Sequence, residues 1–452
     1  MKYLVFAIAL IGVPVVATIC FYFRRFLHFA GLALFLPFIV YESTTINFFS
    51  EEWYRGTSRG MEVSLVYLLC CVVLLTLFLI NKVSKPFPDK GSIIYLLYFC
   101  WSFFSLWNAD FSEYPGFAWF ELWKMLMMHF VFWTLYSYLD YSQNVDAILN
   151  GLGIVIVACF IAVVIQHAMG RYQPHGFFPH QNSMAMFMGL MIPIFLSYYL
   201  NGRSDRYIWV FYLFVFACGA ASLVRSYSRG ALLVFPIALA VTVGISLIWN
   251  FRLNLFVRIL PLALFGVLFV SLLVPRIIER YEQAPEASAT TRVELIRVAI
   301  NMIQEKPLLG IGLNNWGIKV NPPYIYWEGT GRRGRLGRNF DDYKDGIVET
   351  IYMLVGAECG LVGLGLLLIW FLYYFVKAIL LCKKLAGTDW FFLPAGLVGG
   401  LTATYLQSLL EWVLKQSMNF IGLIICFALI AFMDNNWKEL KGITPHKTED
   451  AP

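Results

Sequence analysis

Glu349 opens the apolar stretch IVETIYMLVGAECGLVG (347–363), and a segment dense in arginine, GRRGRLGRNFDDYKDG, stands just before it. A carboxylate in that place has two uses. It can complement the positive end of a helix dipole, or it can accept a proton from a hydroxyl within hydrogen-bond reach. The residues alone leave both open. The arginines suit an anion, because guanidinium matches phosphate oxygens in bidentate geometry. Arg332, Arg333, Arg335 and Arg338 are therefore candidate ligands for a phosphorylated substrate, the alternative being a solvated loop. Arg225 and Arg229 in RSYSRG (225–230) are four apart and can share one helix face. They read either as further anion ligands or as interfacial anchors with snorkelling stems.

Other polar residues interrupt apolar surroundings. Glu121 and Lys124 are adjacent on one face of FAWFELWKMLMMHF (117–130). An ion pair there needs a protein interior or a wet cavity around it, so it either locks two helices or offers Lys124 to a phosphate. RYQPHGFFPHQNS (171–183) carries His175 and His180. Two histidines without further ligand spacing fall short of a metal site; either could move a proton.

These residues must be positioned by membrane-spanning elements. Of 452 residues, 60% are hydrophobic and only 14% charged, and the mean hydropathy is +0.68. Runs of roughly 20 apolar residues follow one another, each long enough to cross a bilayer. They lie at about 3–23, 26–41, 61–81, 91–109, 118–137, 148–168, 183–200, 208–227, 230–250, 253–275, 360–380, 391–411 and 417–434. The expected fold is all-α: a polytopic transmembrane bundle of about 12–13 spans with one large outward-facing loop. An open sheet in lipid would leave backbone groups unsatisfied.

Lysine and arginine alternate between successive connections, which sets the orientation. The connections with Arg24-Arg25, Lys82, Lys85 and Lys90, Arg203 and Arg206, Arg252 and Arg258, and Lys383-Lys384 are expected in the cytoplasm. Residues 51–60, 110–117, 169–182, 228–229, 276–346 and 412–416 then face outward, with the N-terminus outside. The outer arginines break the positive-inside rule, and residues that break a local rule are candidates for function. All nine cysteines lie in or beside apolar runs, which does not suggest a disulfide framework. The net charge of +6 is mostly inside lysine and arginine, so no nucleic-acid partner is called for.

The organisation is an N-terminal bundle (1–275), a large loop (276–346), C-terminal spans (347–435) and a cytoplasmic tail (436–452). Within the loop, TTRVELIRVAINMIQ has apolar residues Val293, Ile296, Ile300 and Ile303 on a helical period, and Pro307, Gly310 and Gly312 stop the helix. Trp316, Tyr324, Tyr326 and Trp327 follow, as sugar-stacking residues or interfacial anchors.

Four local patterns resemble the O-antigen ligase and Wzy-type polymerase family of bacterial membrane glycosyltransferases. PHQNSMAMFMGLMIPI is similar to that family's turn with an asparagine, here Asn182, before a span. SRGALL resembles its Ser-Arg-Gly turn, EKPLLGIGLNNW its segment after an amphipathic helix, and ETIYMLVGAECGLVG its helix ending in Glu-x-Gly-Leu-x-Gly. The resemblance covers about residues 170–365. It implies a GT-C-like helical bundle in the bacterial inner membrane, with an outer loop capping a periplasmic-side cavity. It also implies an inverting transfer, without metal or other cofactor, of a glycan from undecaprenyl diphosphate. The acceptor is a glycan or a lipid-linked sugar, membrane lipids surround the site, and arginines including Arg229 hold the diphosphate. Many members open the last helix with His-Asn, and that histidine is their candidate base; here those positions hold Glu349 and Thr350. Either Glu349 replaces the histidine as catalytic residue, or the chain has left the chemistry behind. A transporter or flippase of lipid-linked sugars, or a non-catalytic binder of them, is the alternative.

Overall fold

The computed structural model describes residues 2–442 except 55, 112–115, 203–205, 254, 261, 263–265, 267–285, 322 and 329–345. Helices dominate, and the long ones fall on the apolar runs, Glu286–Glu305 excepted. In chain order they are α1 (Lys2–Tyr22), α2 (Arg24–Ala33), α3 (Leu65–Leu79), α4 (Lys90–Ser105), α5 (Gly116–Ser142), α6 (Val145–Ala168), α7 (Gln181–Asn201), α8 (Arg206–Arg225), α9 (Arg229–Trp249), α10 (Glu286–Glu305), α11 (Ile351–Lys384), α12 (Phe392–Gln407) and α13 (Ser417–Leu440). Among the described residues, seven are long and apolar enough to cross a membrane, or eight if α2 and the segment Leu36–Thr44, bent by 45°, form one span. The expected span 253–275 lies largely outside the described residues. The expected span 61–81 begins as a strand: Met61–Val63 pairs antiparallel with Ile46–Phe48, Ile46 opposite Val63.

The bundle is built around α7 and α13. Every residue of α7 from Ser183 to Asn201 is buried, as is α13 from Ser417 to Met433. Helices apolar on all sides belong at such a centre. By contrast α1 is mostly exposed, the pattern of a helix facing lipid. Small residues bring α12 onto α7: a Cβ on Gly396 would strike the Ile194 backbone, and one on Gly400 the Leu190 carbonyl. Backbone approach of this kind is how membrane helices gain packing contacts without a hydrophobic driving force between them.

Helix α10 lies on α11. Its buried stripe is Leu295, Val298, Ala299 and Met302, with Ile296 and Ile303 at the margins. Val293 and Ile300, expected on the packed face, are exposed. The true stripe is offset around the helix, because α10 rolls Ala299 and Met302 toward the start of α11.

α11 is broken near its start. Gly360 has φ +70°, between two helical halves. The break frees backbone groups that the 307–312 segment takes up. The Ile311 and Gly312 amides donate to the Ala357 and Glu358 carbonyls at 2.9 and 3.0 Å, and the Leu361 amide donates to the Pro307 carbonyl at 2.8 Å. Gly310, also at positive φ (+71°), passes so close to Ala357 and Glu358 that a Cβ would collide with them. The segments EKPLLGIGL and AECGLVG thus interlock, backbone to backbone.

Candidate functional site

The site forms where four helix ends meet at one end of the bundle. Thr350 is the residue before the first turn of α11, and the Ile351 amide donates to the Ser408 carbonyl at 3.2 Å. Glu349 is thereby tied to the turn Ser408–Gln416 that follows α12. Glu411 lies in that turn. The Asn182 side-chain amide, in the first turn of α7, donates to Glu411 Oε1 at 2.8 Å. Gly230, next to Arg229 at the start of α9, packs on the same turn: a Cβ there would stand 3.3 Å from Leu410 Cδ1 and 4.0 Å from Glu411 Cγ.

Arg292 on α10 joins the two carboxylates. Its guanidinium forms an ion pair with Glu349 and lies 3.7 Å from Glu411 Oε1. The two glutamates differ in setting. The Glu349 side chain is 36% exposed and that of Glu411 only 6%. Burial raises the pKa of Glu349, while the charges of Arg292 and Arg229 pull it back. Burial, then the charge of Glu349, push Glu411 up to about 7, against Arg292, Asn182 and Arg229. Two carboxylates beside shared cations, with environments that differ this way, form the kind of pair that divides acid and base roles.

The other residues singled out in the sequence are distributed as follows. His180 caps α7, its Nδ1 accepting from the Asn182 amide at 3.2 Å. Burial, and then His175, hold its pKa below the usual imidazole value. Arg225 ends α8, exposed, and makes no ion pair among the described residues. Lys124 is not brought to the carboxylates: it is buried, 2.6 Å from Glu121 Oε2, and donates to the Thr57 carbonyl at 3.2 Å. Trp316, Tyr326 and Trp327 are buried in the apolar cluster between α10 and the start of α11. Arg332, Arg333, Arg335 and Arg338 lie outside the described residues. Arg292 and Glu411 were missed in the sequence. The signals were a basic residue early in an amphipathic helix and a lone carboxylate in SLLEWVLK, between two apolar runs.

Residues 213–368 match the family model described as O-antigen ligase. Over that stretch, about a third of its length, the chain is similar to O-antigen ligases. No curated protein matches it. The matched stretch spans Arg225, Arg229, Arg292 and Glu349 and ends just past the Gly360 break, whereas Asn182 and Glu411 come from outside its bounds. The match and the candidate spans together support a membrane protein of the O-antigen ligase or polymerase type.

Proposed function

We propose that this protein transfers a glycan from undecaprenyl diphosphate to an acceptor sugar hydroxyl, as a surface-polysaccharide polymerase or an O-antigen ligase. The observation that carries the reading is the Arg292 guanidinium set between the Glu349 and Glu411 carboxylates, with Arg229 close enough to bias both. Transfer to a hydroxyl needs a proton acceptor on one side of the anomeric carbon and cations for the leaving diphosphate on the other. The acceptor oxygen forms its bond to the anomeric carbon as the bond to the diphosphate oxygen breaks. The hydroxyl proton goes to Glu349, which Arg292 orients, and the electron pair leaves with the diphosphate, whose charge Arg229 meets. One displacement inverts the anomeric centre. Preorganised cations at developing negative charge are usually the largest part of such catalysis; in this reading they stand where other transferases place a metal. Glu349 replaces an imidazole because proton acceptance needs a positioned base of suitable pKa, and burial moves this carboxylate in the useful direction. Glu411 and Asn182 position Arg292 and Glu349.

The test uses purified full-length protein and undecaprenyl diphosphate glycan from its host, following glycan length and release of the lipid diphosphate. Wild type is expected to release diphosphate, and Glu349→Gln and Arg229→Ala each to lose at least 100-fold in rate while remaining folded. Lengthened glycan marks a polymerase; release that requires an added lipid acceptor marks a ligase. Bound lipid without release from wild type would replace the transferase reading with that of a binder or transporter.

A further inference from the structure

The turn that carries Arg229 has a second feature which the transfer chemistry leaves unused. Tyr227 sits at φ +52°, a left-handed conformation that is strained for a bulky L-residue. Its neighbours hold it there. The Tyr227 amide donates to the Val224 carbonyl at 3.2 Å. Buried Ser226 donates to the Leu223 carbonyl at 2.6 Å and accepts the Ser228 amide at 3.1 Å. Glycine or asparagine would adopt this conformation with less strain; what tyrosine adds is a ring. That ring is parallel to Tyr172, with centroids 5.3 Å apart and planes within 1°. Tyr172 belongs to the connector between α6 and α7 and is 59% exposed. Between the rings and Arg229 in the chain stands Ser228, 2% exposed, whose hydroxyl has no hydrogen-bond partner among the described residues.

We propose that Tyr172 and Tyr227 form a stacking platform for a pyranose ring of the lipid-linked glycan, on the donor side of the reacting bond. The identity of the ligand rests on the transfer reading above. The electron-rich face of an aromatic ring attracts partial positive charge, and a pyranose offers a face of C–H groups. Tyr227 is two residues from Arg229, so at most about 7 Å separates their Cα atoms, roughly the length of one sugar. A diphosphate held at Arg229 would therefore present its attached sugars to the tyrosines, with the Ser228 hydroxyl between them as a hydrogen-bond partner for a sugar or phosphate oxygen. An interfacial anchor requires neither a strained backbone nor a second stacked ring.

The experiment measures binding to full-length protein in nanodiscs, with two probes: undecaprenyl diphosphate carrying the host repeat unit, and undecaprenyl diphosphate alone. The variants are Tyr172→Ala, Tyr172→Trp and Tyr227→Asn, the last keeping a residue that tolerates positive φ while removing the ring. Tyr172→Ala and Tyr227→Asn are each expected to weaken the glycan-bearing probe about tenfold and leave the bare lipid unchanged, and Tyr172→Trp to bind both as wild type does. Unchanged affinity for the glycan probe, or a parallel loss for both probes, overturns the platform. Binding is read without turnover, so the two readings fail separately. A wild type that binds with tyrosine dependence yet never transfers glycan would sink the transferase and leave the platform. Transfer that ignores the tyrosines would do the reverse.

Discussion

Glu411 and Glu349 share one guanidinium, so the charge on one decides how firmly the other is held. Below about pH 7 Glu411 carries a proton, and Arg292 pairs with Glu349 alone. Above it Glu411 is charged and competes for Arg292, leaving Glu349 freer to take the acceptor proton. The rate of transfer is therefore expected to rise as pH passes through about 7, and Glu411→Gln, which keeps an oxygen for Asn182, is expected to lose that inflection. A pH–rate profile of the two proteins decides it; the same inflection in both would assign it elsewhere. Stability follows the same group. Folded Glu411 keeps its proton to about 7, whereas an unfolded glutamate releases it near 4.5. Its contribution is thus full below 4.5 and falls as pH rises through the window, by about 3 kcal/mol at 1.36 kcal/mol per unit. Glu411→Gln should flatten that fall in thermal unfolding. Glu349, Arg229 and Asn182 were legible in the sequence because each interrupts the start of an apolar run. Glu411 was not, because the run 391–411 reads as one span with the glutamate at its end, while the helix stops at Gln407. Arg292 was hidden because an arginine on an amphipathic helix looks like part of its polar face.

At the scale of elements, the helices were readable and their joints were not. Apolar runs locate α1 through α9 and α11 through α13, since a span must satisfy its backbone internally. The break at Gly360 depends on a partner far away in the chain, the 307–312 segment, and no local pattern states that the two meet. The break also aims the site, for the first half of α11 carries Glu349 at its mouth and the long second half crosses the bundle. A side chain at Gly360 would occupy a left-handed position and collide with the Leu308 carbonyl. Strain of 1–3 kcal/mol for the backbone adds to a comparable overpacking penalty. Gly360→Ala is expected to destabilise by about 3 kcal/mol or more and to abolish transfer, read as a lowered unfolding midpoint and lost diphosphate release. Gly365→Ala, in the same helix with nothing within 4 Å of the added Cβ, is the control and should match wild type in both. A Gly360→Ala protein as stable as wild type would mean that the interlock is not a fixed joint.

At the scale of the whole molecule, buried charges fasten these parts together. Lys415, four residues after Glu411 in the same turn, lies 3.3 Å from Glu121 of α5 and 3.4 Å from Glu358 at the α11 break. Glu121 also pairs with Lys124 and accepts hydroxyl hydrogen bonds from Thr57 and Ser58. The Asn314 side chain ties the same loop to α5, donating to the Ser58 and Phe117 carbonyls at 2.7 Å each. Two carboxylates and two ammonium groups thus balance in a water-poor interior. Burial alone would lower the pKa of Lys415, and the two carboxylates more than reverse it. No sequence reading could join them, because the residues that neutralise one another come from α5, α11 and the turn before α13. Removing one member leaves a buried charge unpaired, which costs about 3–5 kcal/mol, whereas removing a matched pair can be nearly neutral. Lys415→Met should therefore lower the unfolding midpoint sharply. Adding Glu358→Gln should recover most of the loss, since Glu121 and Lys124 remain as a balanced pair. Transfer activity should stay low in the double variant, because the turn bearing Glu411 has lost its tether to α5 and α11. Full recovery of activity along with stability would show that the cluster balances charge without positioning the site, and a single variant as stable as the double would show that Lys415 and Glu358 do not act as a pair.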